Sequence, residues 1–371
     1  MNTFTVAHSV GEDWAHAAQG CADALVKAAT VANLGFLYVT DSLAEDVGNI
    51  LVYLRQRTGI EHWVGTVGIG ICANEAEYFD RPAVAVMAMD LPPQSFRLFP
   101  CISHAIDQMS PENRSWIADA SPTFGILHGD PSNANTPQLV KDLAEETGVF
   151  LVGGLCSSRS VCHQVAERLT GGGVSGILFA PDIGVQTGLS QGCTPIGESH
   201  VVSDCLDNVV IGLDGRKAVD VFKEDVGEDL AGDLGRVAGN VHAAFPLPGS
   251  DTGDYLVRNL IGIDPVHGWL ALGDQVAPGD RLMFVRRDSN SAREEMMAML
   301  ANLKKRLTAP PRGGIYFSCI ARGANMFDKP GQETAMIRAV LGDIPLVGFS
   351  CGGEISNGRL YGYTGVLALF T

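Results

Sequence analysis

LVGFSCGGE, Leu346 to Glu354, is an apolar run that ends in a glycine-broken loop, and its Val-Gly step occurs twice earlier, in WVGTVGIG from Trp63 and in LVGG from Leu151. Around each copy the same plan can be read: an apolar strand, a loop, an amphipathic helix, the Val-Gly strand, a glycine-containing loop and a third strand. The first unit runs through GFLYVT from Gly35, a helix near Ser42 to Arg57, and PAVAVMAM ending at Met89. The second has FGILHG from Phe124, a helix near Pro137 to Glu146, and VSGILFA ending at Ala180. In the third come GGIYFSC from Gly313, a helix near Gly331 to Leu341, and TGVLALF ending at Phe370. A helix-like stretch precedes each unit: Trp14 to Ala29, Pro111 to Ala120, and Ser291 to Leu307.

Local signals support these helices. Ser42 followed by Glu45 reads as a capping box, Val47, Ile50, Leu51 and Leu54 share one face, and Gly59 stops the turn, while Thr136 and Pro137 open the second helix. Gly65 to Gly153 is 88 residues but Gly153 to Gly348 is 195, so the third spacing carries an insert. From Val185 to about Asp288 that insert has β-rich runs such as NVVIGLDG, YLVRNLIGI and RLMFVRR between Asp-Gly, Asp-Pro and Pro-Gly turns, with one helix near Ala218 to Val226. The expected fold is therefore α/β to α+β: repeated helix-strand-helix-strand-strand modules forming mixed sheets flanked by helices, with an antiparallel β insert. Glu224 to Gly239 and the PLPGSDTGD run from Pro246 read as loops.

Composition limits the function. With 26 basic and 42 acidic residues in 371, the net charge of −16 repels phosphate backbones and anionic lipid, so nucleic acid and membrane insertion are not expected. Nine scattered cysteines without a C-x-x-C pair fit a reduced, cytoplasmic chain, and no basic, apolar leader opens the sequence. Cys156, Cys162 and His163 match no structural zinc spacing, and no motif calls for a cofactor. Gly348-Phe349-Ser350-Cys351-Gly352 fits G-x-S-x-G, but no helix pattern follows and no histidine occurs after His267, so a serine-hydrolase elbow is not expected.

QGCTPIG from Gln191, GLDGRKAV from Gly212, FSCIARG from Phe317, and PLVGFSCGGEISNGRLYGYTGVLALF at the carboxyl end resemble the FIST family, the F-box and intracellular signal transduction proteins. The resemblance implies an N domain over residues 1–215 and a C domain over 216–371. It also implies a sensory protein that binds small ligands such as amino acids and passes the signal to a downstream protein.

The residues offer candidates for such a site. Gly153, Gly154, Gly348, Gly352 and Gly353 at strand ends let backbone approach a ligand and aim N–H groups at an anion, or else serve turns. Cys319, Arg322 and Gly323 sit where a strand of an open α/β sheet ends, the usual ligand-facing side. Arg322 could grip a carboxylate bidentately or form an internal salt bridge, and Glu354 could take an amino group or be a solvated turn residue. His128 and Asp130 occupy the equivalent loop of the second unit. The reading expects the three strand tips to surround a shared hollow and a non-catalytic small-ligand sensor to result, its ligand an amino acid or similar metabolite. A thiol-dependent transferase using Cys319 and a protein-interaction scaffold are the alternatives.

Overall fold

The computed structural model describes residues 4–29, 31–227, 237, 239–247 and 254–371. Parts of the two stretches read as loops, 228–236, 238 and 248–253, lie outside the described residues. The chain forms two compact units, Met1–Ser190 with Met296–Thr371, and Gln191–Glu295.

The larger unit contains the threefold repeat. Its first module has β1 (Thr5–Val10), β2 (Leu34–Thr40), β3 (His62–Gly68), the hairpin β4 (Gly70–Ala73) and β5 (Ala76–Phe79), and β6 (Ala83–Met89). The second has β7 (Phe96–Ile102), β8 (Phe124–Gly129), β9 (Phe150–Leu155), the hairpin β10 (Gln164–Ala166) and β11 (Arg168–Thr170), and β12 (Val174–Phe179). The third opens with β13 (Val185–Ser190) and is then interrupted by the smaller unit.

That insert holds β14 (Cys193–Leu206), β15 (Val209–Leu213), β16 (Arg216–Lys217), β17 (Val241–Pro246), β18 (Tyr255–Asp264), β19 (Trp269–Leu272) and β20 (Arg281–Arg287). The expected antiparallel meander closes on itself, because β14 pairs with both β20 and β15 and the order β14-β20-β17-β18-β19-β15 returns to β14. Closure leaves those six strands without an open edge. Phe222 of the helix Ala218–Val226 meets Phe284 edge to face at 4.9 Å in its core.

The third module resumes with β21 (Gly313–Cys319), β22 (Leu346–Cys351), the hairpin β23 (Glu354–Ser356) and β24 (Arg359–Tyr361), and β25 (Gly365–Phe370). The three sheets run β1-β6-β2-β3-β10-β11, β7-β12-β8-β9-β23-β24, and β13-β25-β21-β22-β4-β5. Each thus uses four strands of its own module and ends in a hairpin from another. The second module donates to the first, the third to the second, and the first to the third. The glycine-containing loop read after each Val-Gly strand is this exchanged hairpin, and it covers the edge that β3, β9 or β22 would otherwise expose.

The recurrent Val-Gly has a steric cause. Gly65, Gly153 and Gly348 lie in register with Leu37, Leu127 and Tyr316 on the parallel neighbour. A Cβ there would stand 1.8, 1.9 and 1.9 Å from that residue's carbonyl oxygen, so only glycine fits at all three. The inner faces of the sheets share one core that includes Phe36, Phe124, Ile126, Phe317, Val347 and Phe370, while helices cover the outer faces.

Two helix starts differ from the sequence reading. Asp41–Asp46 is a 3-10 turn and the α-helix begins at Val47 without a side-chain cap, because the Ser42 hydroxyl lies 3.2 Å from Thr40 Oγ1 instead of bonding the helix N-terminus. Thr136 likewise donates to the Asp130 carbonyl at 2.7 Å, and Asn135 takes the cap position. Gly59 stops the first of these helices as expected, with φ +72.

Gly348→Ala should lower stability by about 1–3 kcal/mol in urea unfolding, because the added methyl must separate β21 from β22. Gly59→Ala should cost less, since nothing lies within 4 Å of its Cβ position and only its left-handed φ is strained. A second measurement concerns His200, whose ring nitrogens lie 2.6 Å from Asp214 and 2.8 Å from Asp225. Burial opposes its charge, but the two carboxylates hold its pKa above the ordinary 6.5. Its stabilisation is full below 6.5 and is lost as pH rises through the raised value, so His200→Gln should flatten the stability profile over that window.

Candidate functional site

Alternation along β21 sends Tyr316 and Ser318 towards the helix Gln332–Leu341, and Phe317 and Cys319 to the opposite face. Glu333, in the first turn of that helix, receives Tyr316 Oη at 2.7 Å, Ser318 Oγ at 2.8 Å, Arg322 Nε at 2.7 Å and the Gly323 N–H at 3.2 Å. Burial works to raise its pKa, but Arg322 and these donors hold the carboxyl below its ordinary value. Gly323 has φ +54, a conformation that lets the chain turn at the strand end and aim its N–H at Glu333. Arg322 is 1% exposed. Its Nη1 donates to the Tyr363 carbonyl at 3.3 Å, while Nη2 has no hydrogen-bond partner.

Glu354 lies behind this ion pair, fully buried on β23 and in register with Gly154. Its Oε2 accepts from the Thr364 N–H at 3.1 Å and hydroxyl at 2.8 Å, and Oε1 has no hydrogen-bond partner. Burial raises the carboxyl to about 8, so it is mainly protonated at neutral pH. The Cys319 thiol lies beside it, pushed well above its ordinary value first by burial and then by Glu354. Such a thiol lacks the thiolate character that nucleophilic catalysis needs.

A hairpin from another module completes the arrangement. Glu77 of β5 joins Ser318, Gly323, Glu333 and Ser350 around a small void of about 20 Å³, with Phe79 and Phe349 among its apolar walls. That is room for a single water. Glu77 Oε2 is buried without a partner. Burial raises the carboxyl to about 7, the Gly331 N–H works against the rise, and the charge of Glu333 adds to it. The void is therefore rich in acceptors and suits a compact cation or a group with several N–H donors.

The remaining candidates lie elsewhere. His128 is buried, its Nε2 3.3 Å from Tyr38 Oη, and burial lowers its pKa to about 3, keeping it neutral. Asp130 accepts from the Ser132 N–H at 2.8 Å, the Ser132 hydroxyl at 2.6 Å and the Gly172 N–H at 3.1 Å, and borders a separate groove. Gly153 faces the Leu127 carbonyl, and a Cβ on Gly154 would stand 2.2 Å from Cys351 Sγ. Gly352 donates its N–H to the Leu155 carbonyl at 2.9 Å, and the Gly353 carbonyl accepts from the Leu155 N–H at 2.8 Å, tying the third module to the second.

The strand tips do converge, but the space between them is not hollow. Ser157 Oγ accepts from the Ile69 N–H at 2.9 Å and donates to the Ser350 carbonyl, joining all three modules. Tyr38 stacks on Phe349 at 5.1 Å, and His128 meets those rings at 5.7 and 5.8 Å, so aromatic side chains fill the centre. Cys319, Arg322, Gly323 and Glu354 share one neighbourhood, whereas Asp130 does not belong to it. Sequence reasoning missed Glu77, Ser318, Glu333, Ser350 and Thr364. The polar Asn74-Glu75 pair between the apolar run GICA and AEYF was the signal for the hairpin that carries Glu77.

Comparison with known proteins places this chain in a family. Residues 33–216 match the FIST N domain and residues 218–357 the FIST C domain. The uncharacterized protein Rv0628c of Mycobacterium tuberculosis is 30% identical over 338 residues, with 83% of each chain covered. The uncharacterized protein Mb0898c of Mycobacterium bovis is 28% identical over 332 residues, covering 83% of this chain and 82% of its own. Among the described residues no helix is long and apolar enough to cross a membrane. The chain belongs to the FIST family, whose domains are associated with sensory roles in signal transduction.

Proposed function

We propose that the protein is a non-catalytic sensor of a small metabolite bearing an amino group, an amino acid in the first instance, held at the carboxyl end of β21 and β22. The observation that carries this reading is the unpartnered, buried Glu77 Oε2 beside a water-sized void whose other polar walls are Glu333, Ser318 and Ser350. An ammonium group occupies about the space of a water and donates in three directions, so it satisfies those acceptors. Arg322 then has a different part from a direct carboxylate clamp: its Nε is committed to Glu333, and it balances the charge that the ligand's amino group faces. Glu354, protonated and enclosed, supports Cys319 and Thr364 behind the strand and leaves the amino group to Glu77.

The rest of an amino acid is larger than the void, so binding displaces the covering β4–β5 hairpin. That hairpin belongs to the first module and pairs with β22 of the third, through Val347 with Ala73, Gly348 with Cys72 and Phe349 with Ile71. Ligand entry is thereby coupled to the junction of two modules, a physical route from occupancy to a downstream protein.

Thermal unfolding against a panel of amino acids, amines and carboxylic acids checks the reading. A ligand at about one hundred times its dissociation constant adds about 2.7 kcal/mol and raises the midpoint. Amino compounds should shift the midpoint in the wild type and not in Glu77→Gln. A panel without any shift overturns the sensor reading, and an equal response to acids lacking an amino group overturns the ammonium assignment. Affinity should rise with pH through about 7 as Glu77 loses its proton, and Glu77→Gln should lack that dependence. Separately, Arg322→Met should cost about 3–5 kcal/mol in urea unfolding because it leaves the Glu333 charge buried without its cation. Replacing Arg322 and Glu333 together by apolar residues should recover part of that loss.

A further inference from the structure

Glu75 lies in the turn of the β4–β5 hairpin and Glu77 on β5, and each borders a different space. Glu77 lines the void of about 20 Å³, whereas Glu75 lines a wider groove of about 370 Å³. The helix Gln332–Leu341 serves both: Glu333 borders the void, and Thr334, Ile337 and Arg338 border the groove. Val6, Ile344 and Leu346 add apolar wall to the groove. Between hairpin and helix, the Thr334 hydroxyl donates to the Glu75 carbonyl at 3.4 Å, and Arg338 pairs with the Glu75 carboxylate and with Asp343.

The two carboxylates of the void are unequal. Each oxygen of Glu333 accepts two hydrogen bonds, whereas Glu77 Oε2 accepts none. Among the described residues lining the void there is no lysine or arginine. Arg322 balances Glu333 from a fully buried position, with Nε on that carboxylate and Nη1 on the Tyr363 carbonyl. The void therefore has a place for one ammonium group and no cation for a carboxylate next to it.

An α-amino acid meets this arrangement badly. Its carboxylate carbon stands two covalent bonds from the nitrogen, about 2.5 Å, which sets another anion against Glu77 and Glu333 between Ile71, Phe79 and Phe349. A terminal amine differs, because the carbon beside its nitrogen is a methylene, and apolar walls take a methylene without stripping water from a charge.

We propose, building on the amino-group reading above, that the ligand is an ω-amino acid: its primary ammonium sits against Glu77, its unbranched carbon arm follows the seam between hairpin and helix, and its carboxylate pairs with Arg338. Arg338 follows Glu333 by five positions, about 7.5 Å along the helix axis, so several carbons separate the acid from the amine. When the hairpin moves aside for the ligand, Glu75 leaves Arg338 and the incoming carboxylate takes its place as partner of the guanidinium. Ligand entry and hairpin release are then one exchange of anions at Arg338.

Thermal unfolding of the full chain with two isomers tests this assignment. Nα-acetyl-lysine keeps the terminal amine, whereas Nε-acetyl-lysine keeps only the amine beside the carboxylate. At saturation Nα-acetyl-lysine and ε-aminocaproate should raise the midpoint by several degrees, and Nε-acetyl-lysine and alanine should not. In titration calorimetry Arg338→Gln should weaken ε-aminocaproate binding by about tenfold, the loss of a hydrogen-bonded charge partner. The assignment is overturned if the two isomers act alike, if Nε-acetyl-lysine acts alone, or if Arg338→Gln binds ε-aminocaproate like the wild type. A shift with alanine but not with Nα-acetyl-lysine overturns it and leaves the amino-group reading standing, while a panel in which no amino compound shifts the midpoint overturns both. Because the isomers are compared on the wild-type chain, the decision stands even if the variant folds poorly.

Discussion

The larger unit depends on the cyclic exchange of three hairpins. A parallel strand pair such as β21 and β22 ends at an open edge, and the edge is closed by β4, which arrives from the other end of the chain. The same holds for β3 with β10 and for β9 with β23. No module completes its sheet from its own residues, so the three stand or fall together. Backbone hydrogen bonds across each seam are buried against a common apolar core, where an unpaired N–H or carbonyl is costly.

Exchange also decides where polar chemistry collects. Inside a module, the strand end contributes Ser318, Arg322 and Gly323, and the following helix contributes Glu333. These satisfy one another almost completely. The incoming hairpin adds Glu77, a carboxyl with a buried oxygen and no partner, to a group that already carries an anion. That surplus acceptor makes the place receptive to a cationic donor.

Much of the architecture was legible before any tertiary contact was known. Apolar strands, helix faces and the recurrence of Val-Gly predicted three modules, and Gly65, Gly153 and Gly348 prove to share one cause, the cross-strand carbonyl that leaves no space for a side chain. The helix Ala218–Val226 and the β-rich insert were equally readable, because alternation and turn residues act over short distances. Barrel closure was not, since β14 pairs with its hairpin neighbour β15 on one side but with the distant β20 on the other, and that long-range pairing leaves no local mark. Ser42 and Thr136 carried the right residue types for helix caps, but nearer oxygen partners took their hydroxyls.

The candidate site divides in the same way. Sequence alone marked Cys319, Arg322 and Gly323 as a strand-end group and Glu354 as a residue after paired glycines. It did not assign their partners, because Arg322 chooses between a ligand and a carboxylate only when a carboxylate is folded against it. Tertiary structure supplied Glu333 to the guanidinium, buried Glu354 deeply enough to keep its proton, and filled the centre between the strand tips with Tyr38, His128 and Phe349. Periodicity and glycine placement follow from forces between near neighbours in the chain, and the sequence by itself determined them. The charge state and company of each polar group depend on what distant segments bring into a water-poor interior, and only the folded chain decided that.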